Sequence, residues 1–313
     1  MSLTLGVKEK GMIPTLFSVS YAGLWGQCRL ELKAFLAKAA ALGYPAVELM
    51  GKRPHLSVLD ADRRRIEELR GAALAAGVEI ATIAGYTNFT LGRDTEIPSV
   101  EIQISYVRQL AELARQLDAK MVRIFTGYLT QKDAFQRDWD LCVQAVRQCA
   151  AAAADCGVIL GVQNHHDVGV AVESYGEFLD EVDHPNCRAM FDPWTPALMG
   201  EDLRSSARRL APRMVQTTLA DYVRLPRYAY LPGLVNYQRL DDAVRAVPLG
   251  EGFLKLDEFF AGLREGGFDG YVAYEMCSPL RGGGSEENLD RTAKVSLEKI
   301  KRWIAPKSGA TFV

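Results

Sequence analysis

Short apolar runs rich in β-formers alternate along the chain with longer stretches of helical periodicity. The runs fall at about 15–20 (TLFSVS), 46–50 (AVELM), 79–84 (EIATIA), 121–126 (MVRIFT), 158–163 (VILGVQ), 187–191 (CRAMF), 213–219 (RMVQTTL) and 271–275 (YVAYE). Each precedes a segment whose apolar residues recur at three and four, as Val107, Leu110, Leu113 and Leu117 do, or Trp139, Val143, Val146 and Ala150. Leu289, Ala293, Ile300 and Ile304 share one face of the last segment. Glycines precede several runs (ALGYPAVEL, AAGVEIAT, DCGVILGV, EGGFDGYVAY), where a left-handed residue ends a helix before the next strand. Eight strand–helix rounds imply a parallel sheet closed on itself, an α/β chain built as a single (β/α)8 TIM barrel over 1–313. A doubly wound sheet would want a glycine-rich phosphate turn after its first strand, and SYAGLWGQ is no GxGxxG. The one long irregular connection, from Asp221 to about Gly252, carries prolines and tyrosines and reads as an ordered lid or interface loop rather than a linker.

Composition narrows the function. With 48% hydrophobic and 24% charged residues the chain is an ordinary globular protein. Lys and Arg number 37 against 39 Asp and Glu, so there is no excess positive charge to neutralise phosphates, and nucleic acid is not an expected partner. The six cysteines form no CxxC pair, and Cys142, Cys149 and Cys156 lie seven apart in an alanine-rich stretch, a pattern of inert thiols in a reducing cytoplasm. MSLTLGVKEKGMIPTLFS lacks the apolar core of a secretion leader, and there is no apolar run long enough for a membrane span.

In such a barrel the chemistry gathers where the strands end and the βα loops converge. Strand two carries Glu48 near its end, within reach of an arginine such as Arg123 on another strand. Strand five ends in Gln163-Asn164-His165-His166-Asp167, strand six in Asp192, strand seven in Gln216-Thr217-Thr218-Leu219-Ala220-Asp221, and strand eight in Glu275. Carboxylates at the ends of strands six and eight, with amides and imidazoles nearby, suit an oxygen-rich shell for a divalent ion. Tyr86, Trp194, Tyr222 and Trp25 are candidate walls against which a sugar could stack. Arg281, followed by three glycines, could orient a hydroxyl, carboxylate or phosphate group, although Glu286 and Glu287 disfavour an anion at the helix that follows. Asp221 reads as a residue that fixes its own loop.

At these residues the chain resembles the xylose isomerase-like sugar isomerase and epimerase barrels, a family that includes tagatose epimerase-type, inosose-processing and hydroxypyruvate isomerase enzymes and, more distantly, endonuclease IV. The likeness covers nearly the full length. It is carried by GVILGVQNHHD against the family's GV-x-L-x-x-ENH, by CRAMFDP, by TTLAD against HxKD, and most specifically by VPLGEGFLKLDEFFAGLREGGFDGYVAYE. The resemblance implies a four-ligand metal site of Glu, Asp, His and Glu, which here falls on Gln163, Asp192, Thr218 and Glu275. Two positions match and two depart: Gln163 offers an oxygen without charge, and Thr218 is a poor ligand. Gln216, on the same strand face as Thr218, or His165 could supply the fourth donor. The expected metal set is therefore Gln163, Asp192, Gln216 and Glu275, with Mn or Mg favoured and Zn possible.

The reaction so implied is proton abstraction next to a sugar carbonyl through an enediolate, an isomerase or epimerase activity, with His165 and Glu275 as acid/base groups. Glu48, Tyr86, His166, Trp194 and Arg281 would contact a small carbohydrate substrate. Gln163 in place of a carboxylate makes two-base epimerisation harder, so a lyase or dehydratase using the same enolate stays open, as does a non-catalytic sugar-binding barrel. The endonuclease reading is the weakest, since that family's further metal ligands would fall near Val244 and Ala246, which cannot coordinate an ion, and the net charge is −2. By analogy the family's barrels pair through their outer helices, so a homo-oligomer is expected.

Overall fold

The strands form where the apolar runs place them. In the computed structural model, which describes residues 11–91, 96–131 and 134–305, the strands are β1 (Ile13–Phe17), β2 (Ala46–Met50), β3 (Glu79–Ala84), β4 (Met121–Ile124), β5 (Ile159–Gln163), β6 (Cys187–Met190), β7 (Gln216–Leu219), β8 (Asp221–Leu231), β9 (Asn236–Val247) and β10 (Tyr271–Tyr274). Eight are parallel neighbours in the order β6-β5-β4-β3-β2-β1-β10-β7, and across the remaining seam Val215 N–H donates to Ala189 O at 3.0 Å. The sheet thus curls into the expected TIM barrel. The first ten residues, read above as carrying no leader, lie outside the described part.

Each barrel strand sends alternate residues outward and inward. Leu16, Val47, Val122, Ile124, Leu160, Val162, Leu219 and Val272 point out and join one large core with the helices. That core includes the faces predicted for the helices Ser99–Gln116, Phe135–Asp155 and Glu286–Ile304. Inward positions are largely polar: Thr15, Glu48, Thr82, Arg123, Gln163, Gln216 and Thr218 are all at most 2% exposed. Phe17, Met50 and Ala84 form a small separate apolar cluster with Tyr86 packed against it. Gly161 leaves room in this wall for the Met190 side chain, whose Cε would lie 2.3 Å from a Cβ at that position.

Two local readings change. TLFSVS ends as a strand at Phe17 and turns into a 3-10 segment, Ser18–Tyr21, because its serines bond to neighbouring strand ends instead of extending the run. Ser18 Oγ accepts from Met50 N–H at 2.8 Å and Ser20 Oγ from Met276 N–H at 2.9 Å. The connection after β7 is not irregular. It is an antiparallel hairpin, β8 paired to β9 from Asp221↔Val247 out to Leu231↔Asn236, with Pro226 accommodated at a register shift between Leu225 and Arg227. Asp221 fixes the base of the hairpin as expected: its carboxylate accepts from the N–H groups of Tyr222, Gly250, Gly252 and Leu254 at 2.9–3.2 Å. A Cβ on Gly252 would lie 2.0 Å from Asp221 Oδ1, so only glycine fits. Among the described residues no helix is long and apolar enough to cross a membrane.

Candidate active site

A continuous hydrogen-bonded chain crosses the inside of the barrel. Thr82 Oγ1 donates to Gln216 Oε1 (2.6 Å), and Gln216 Nε2 donates to Glu48 Oε2 (2.8 Å). Arg123 Nε donates to Glu48 Oε1 (3.3 Å) and its Nη1 to Gln163 Oε1 (3.0 Å). Gln163 Nε2 then donates to Asp192 Oδ2 (2.9 Å), whose Oδ1 accepts from Trp194 N–H (2.8 Å). The guanidinium is flanked by aromatic rings, with its central carbon 4.2 Å from the Phe125 centroid, 5.2 Å from Tyr86 and 5.3 Å from Phe17.

Glu275 completes the mouth. It follows β10 directly, on the inward side with Ala273, and its Oε1 accepts from the Cys277 thiol at 3.3 Å. Burial, reinforced by the negative charge of Asp192, pushes its carboxyl up to about 8. Burial likewise holds Asp192 up at about 6, against the backbone N–H of Trp194 and the Gln163 amide that lower it. Burial raises Glu48 as well, with the Arg123 charge opposing it.

The histidines sit on the rim. His165 Nδ1 accepts from His166 N–H at 2.7 Å, which leaves the ring proton on Nε2, and the ring centroid is 4.6 Å from that of Phe125. Burial, then the neighbouring His166 and Arg123, lower His165 to about 3, so its imidazole is neutral at any working pH. His166, at φ 69, stacks on Tyr128 at 4.0 Å and is lowered by burial and Arg123 to about 4. Trp194 packs against Tyr222 (4.9 Å), whose hydroxyl meets Cys277 Sγ at 3.0 Å, and Lys52 Nζ lies 3.8 Å from the Tyr86 ring centroid.

The barrel therefore brings together Gln163, Asp192, Gln216, Glu275 and Glu48, with His165, His166, Tyr86 and Trp194 around them. Glu48 pairs with Arg123 as its sequence position suggested. Arg281 does not join: its side chain is exposed, and its backbone is tied to Ala246 O (2.9 Å) and Asn288 Nδ2 (3.0 Å). Gln216 pairs in register with Tyr271, two inward positions below Glu275, and both ends of its amide are engaged by Thr82 and Glu48. Arg123 as the central cation, with Lys52 beside it, was not read from the sequence as a functional group. The one available signal was a lone charge within the apolar strand MVRIF.

The residues present do not fit the four-donor metal site that the resemblance implies. The oxygen of Gln163 accepts from a guanidinium, and Thr218 Oγ1, which stands at the histidine position, is buried without a partner. Among the described residues no three His, Cys, Asp or Glu side chains are grouped to hold an ion.

Fold and mouth together define a (β/α)8 barrel of the enzyme-bearing kind, with its polar groups at the carboxyl ends of the strands. The chain belongs to the xylose isomerase-like TIM barrel family, whose model matches residues 36–302. Solved structures share the fold at low identity. A probable 3-DHS dehydratase, AsbF, involved in petrobactin synthesis in Bacillus anthracis, superposes with a TM-score of 0.71 at 20% identity, over 93% of this chain and 99% of its own. D-psicose 3-epimerase from Clostridium cellulolyticum H10 gives 0.71 at 17%, over 94% and 99%. An IolI protein with a bound zinc atom gives 0.69 at 16%, over 93% and 98%.

Proposed function

We propose that this chain is an enzyme that moves a proton next to the carbonyl of a small sugar-like substrate, an isomerase or epimerase by chemistry. The observation that carries this reading is the pair of buried carboxyl groups, Asp192 and Glu275, just past the ends of β6 and β10, close enough to raise Glu275 and to feel the Arg123 charge. Glu275 takes the proton from the carbon beside the carbonyl, and the C–H electron pair passes into an enediolate. Returning the proton to the adjoining carbon isomerises the sugar, and a proton delivered to the opposite face of the same carbon by a second acid epimerises it. Its raised affinity for protons matches that task, since a base close to working pH also gives the proton back. Neutral His165, protonated on Nε2, donates a hydrogen bond to the oxygen and takes no proton, so acid/base work falls to Glu275.

A second reading, elimination of water from a keto-sugar or cyclic keto-acid, is favoured by Gln163. An amide cannot act as a second base, and two-face epimerisation wants one. A probable 3-DHS dehydratase stands among the structural neighbours. In elimination the enediolate collapses with loss of a β-hydroxyl, which takes the Glu275 proton and leaves as water.

The test is to incubate the protein in D2O with fructose, psicose, tagatose, sorbose and 3-dehydroshikimate and to follow carbon-bound deuterium and products by NMR. Deuterium incorporation that Glu275→Gln abolishes is the expected result. A product of unchanged mass identifies the isomerase and loss of water the dehydratase. No exchange in any substrate would overturn the enzyme reading in favour of a sugar-binding barrel.

A further inference from the structure

A barrel whose donor set does not suit a metal still needs positive charge where an enediolate forms, and among the described residues the buried cation is Arg123, with the more exposed Lys52 beside it. Arg123 is 2% exposed and enclosed by Phe17, Tyr86 and Phe125. Two of its three nitrogens are committed, Nε to Glu48 and Nη1 to Gln163, while Nη2 is buried and has no partner. Unpaired buried donors are rare because each forfeits its hydration, so one inside a polar cluster points to a ligand atom that completes it. Four more buried polar atoms without a partner belong to residues around the same mouth: the hydroxyl of Tyr86, whose ring packs on the guanidinium, Thr218 Oγ1 on the inward face of β7, Trp194 Nε1 and His166 Nδ1. The Tyr86 and Thr218 hydroxyls and the Trp194 N–H can, like Arg123 Nη2, donate to an oxygen, and the guanidinium brings charge.

We propose that the Arg123 guanidinium is the resident cation of this barrel: through Nη2 it takes the carbonyl and enediolate oxygen of the substrate, so that the site works without a divalent metal. The inference rests on the proton-transfer reading above and specifies its electrophile. It accounts for both departures from the implied ligand set. Gln163 has an amide oxygen to accept from Nη1 and an amide N–H to donate to Asp192, which a carboxylate could not do. Thr218 keeps a small donor where an imidazole would stand. Glu48, clamped by Gln216, anchors the far edge of the guanidinium, so that the unpaired Nη2 is fixed in place before substrate arrives. A lysine could keep the charge but not this three-way fork.

The experiment uses full-length protein stripped with a chelator and D-threonohydroxamate, a four-carbon enediolate mimic, titrated calorimetrically with and without Mn(II), beside a titration with Mn(II) alone. The stripped protein is expected to bind the hydroxamate with the same affinity in either condition, and to show no saturable Mn(II) site tighter than about 1 mM. Arg123→Lys, which keeps a cation beside Glu48, is expected to weaken hydroxamate binding at least about tenfold, the worth of a lost charge-assisted hydrogen bond. Hydroxamate binding that requires Mn(II), or a micromolar Mn(II) site lost in Asp192→Asn, overturns the inference and leaves the proton-transfer reading standing. Metal-free hydroxamate binding with no deuterium exchange in any substrate overturns the proton-transfer reading and leaves of the inference only a metal-free guanidinium site for an oxyanion. The wild-type titrations decide the matter even if the variant proves unstable.

Discussion

Removing the Arg123 side chain should unbalance the barrel interior by an amount that follows from its contacts. In Arg123→Met, Glu48 remains fully buried with only the Gln216 amide as donor, and Gln163 Oε1 loses its donor as well. Deleting one partner of a buried ion pair costs about 3–5 kcal/mol because the other charge stays uncompensated. With a melting entropy of roughly 2.1 cal/mol/K per residue, the 313 residues give about 0.66 kcal/mol/K, so the melting temperature should fall by about 5–8 °C at pH 7. Adding Glu48→Gln removes the stranded charge, and the double variant should recover to within about 3 °C of the wild type, since neutral replacement of a whole buried pair is often nearly free. Acid should close the gap between single and double variants. Without the Arg123 charge that now opposes the effect of burial, Glu48 holds a proton well above the ordinary glutamate range. Its penalty is therefore felt at neutral pH and fades as pH falls toward about 4.3. Differential scanning calorimetry of the three proteins at pH 5 and pH 7 reads all of this. A single variant that melts within about 1 °C of the wild type, or a double variant no better than the single, would refute the claim that Glu48 and Arg123 stand or fall together.

Three further outcomes are expected. If Glu275 is the base, the deuterium-exchange rate should rise with pH and level off near pH 8, with no inflection near the ordinary histidine range because His165 is neutral throughout; an inflection near 6.5 that disappears in His165→Asn would reassign the base. Glu275→Gln should abolish exchange and yet melt above the wild type at pH 8. The raised carboxyl costs the folded state stability as pH climbs from the unfolded glutamate range to about 8, so the advantage should vanish near pH 4.5, and a pH-independent difference would contradict it. Asp221→Ala removes a carboxylate that accepts from four backbone N–H groups, each such bond contributing about 1 kcal/mol, and should expose the β8–β9 hairpin to limited proteolysis first; cleavage that begins elsewhere at the wild-type rate would show that the hairpin base does not depend on Asp221.

The architecture was legible because it is set by local periodicity. Seven of the eight barrel strands lie where their apolar runs lie, and the positive-φ glycines Gly43, Gly77, Gly157 and Gly267 stand where helices give way to strands. The strand-end carboxylates were legible in the sequence, since Glu275 follows β10 directly and Asp192 stands two residues past the end of β6. Depth was not legible. Gln216 and Thr218 share a face, but which of them reaches the mouth depends on the stagger of β7 against β10, where Thr218 sits beside Ala273, one inward position below Glu275. The hairpin was missed for a similar reason: a proline inside YVRLPRYAY breaks a strand unless the partner strand shifts register to absorb it, and the partner begins beyond the turn.

Arg123 shows what a motif comparison leaves out. Aligning ligand positions one by one makes Gln163 and Thr218 two separate losses, and the natural repair is to look for replacement ligands. In three dimensions they belong to one change with Arg123 and Glu48. A metal ion on the Gln163 oxygen, at about 2.1 Å, would lie within about 5 Å of Arg123 Nη1, which is 3.0 Å from that oxygen. At an effective dielectric of about 20, a dication and a guanidinium so placed repel by about 7 kcal/mol. Glu48 is the carboxylate that neutralises the guanidinium, and it lies on β2, outside the four strands that the implied metal shell draws on. A guanidinium at this position and an ion on Gln163 are thus competing solutions to one electrostatic requirement, and the amide at 163 serves the first better than the second.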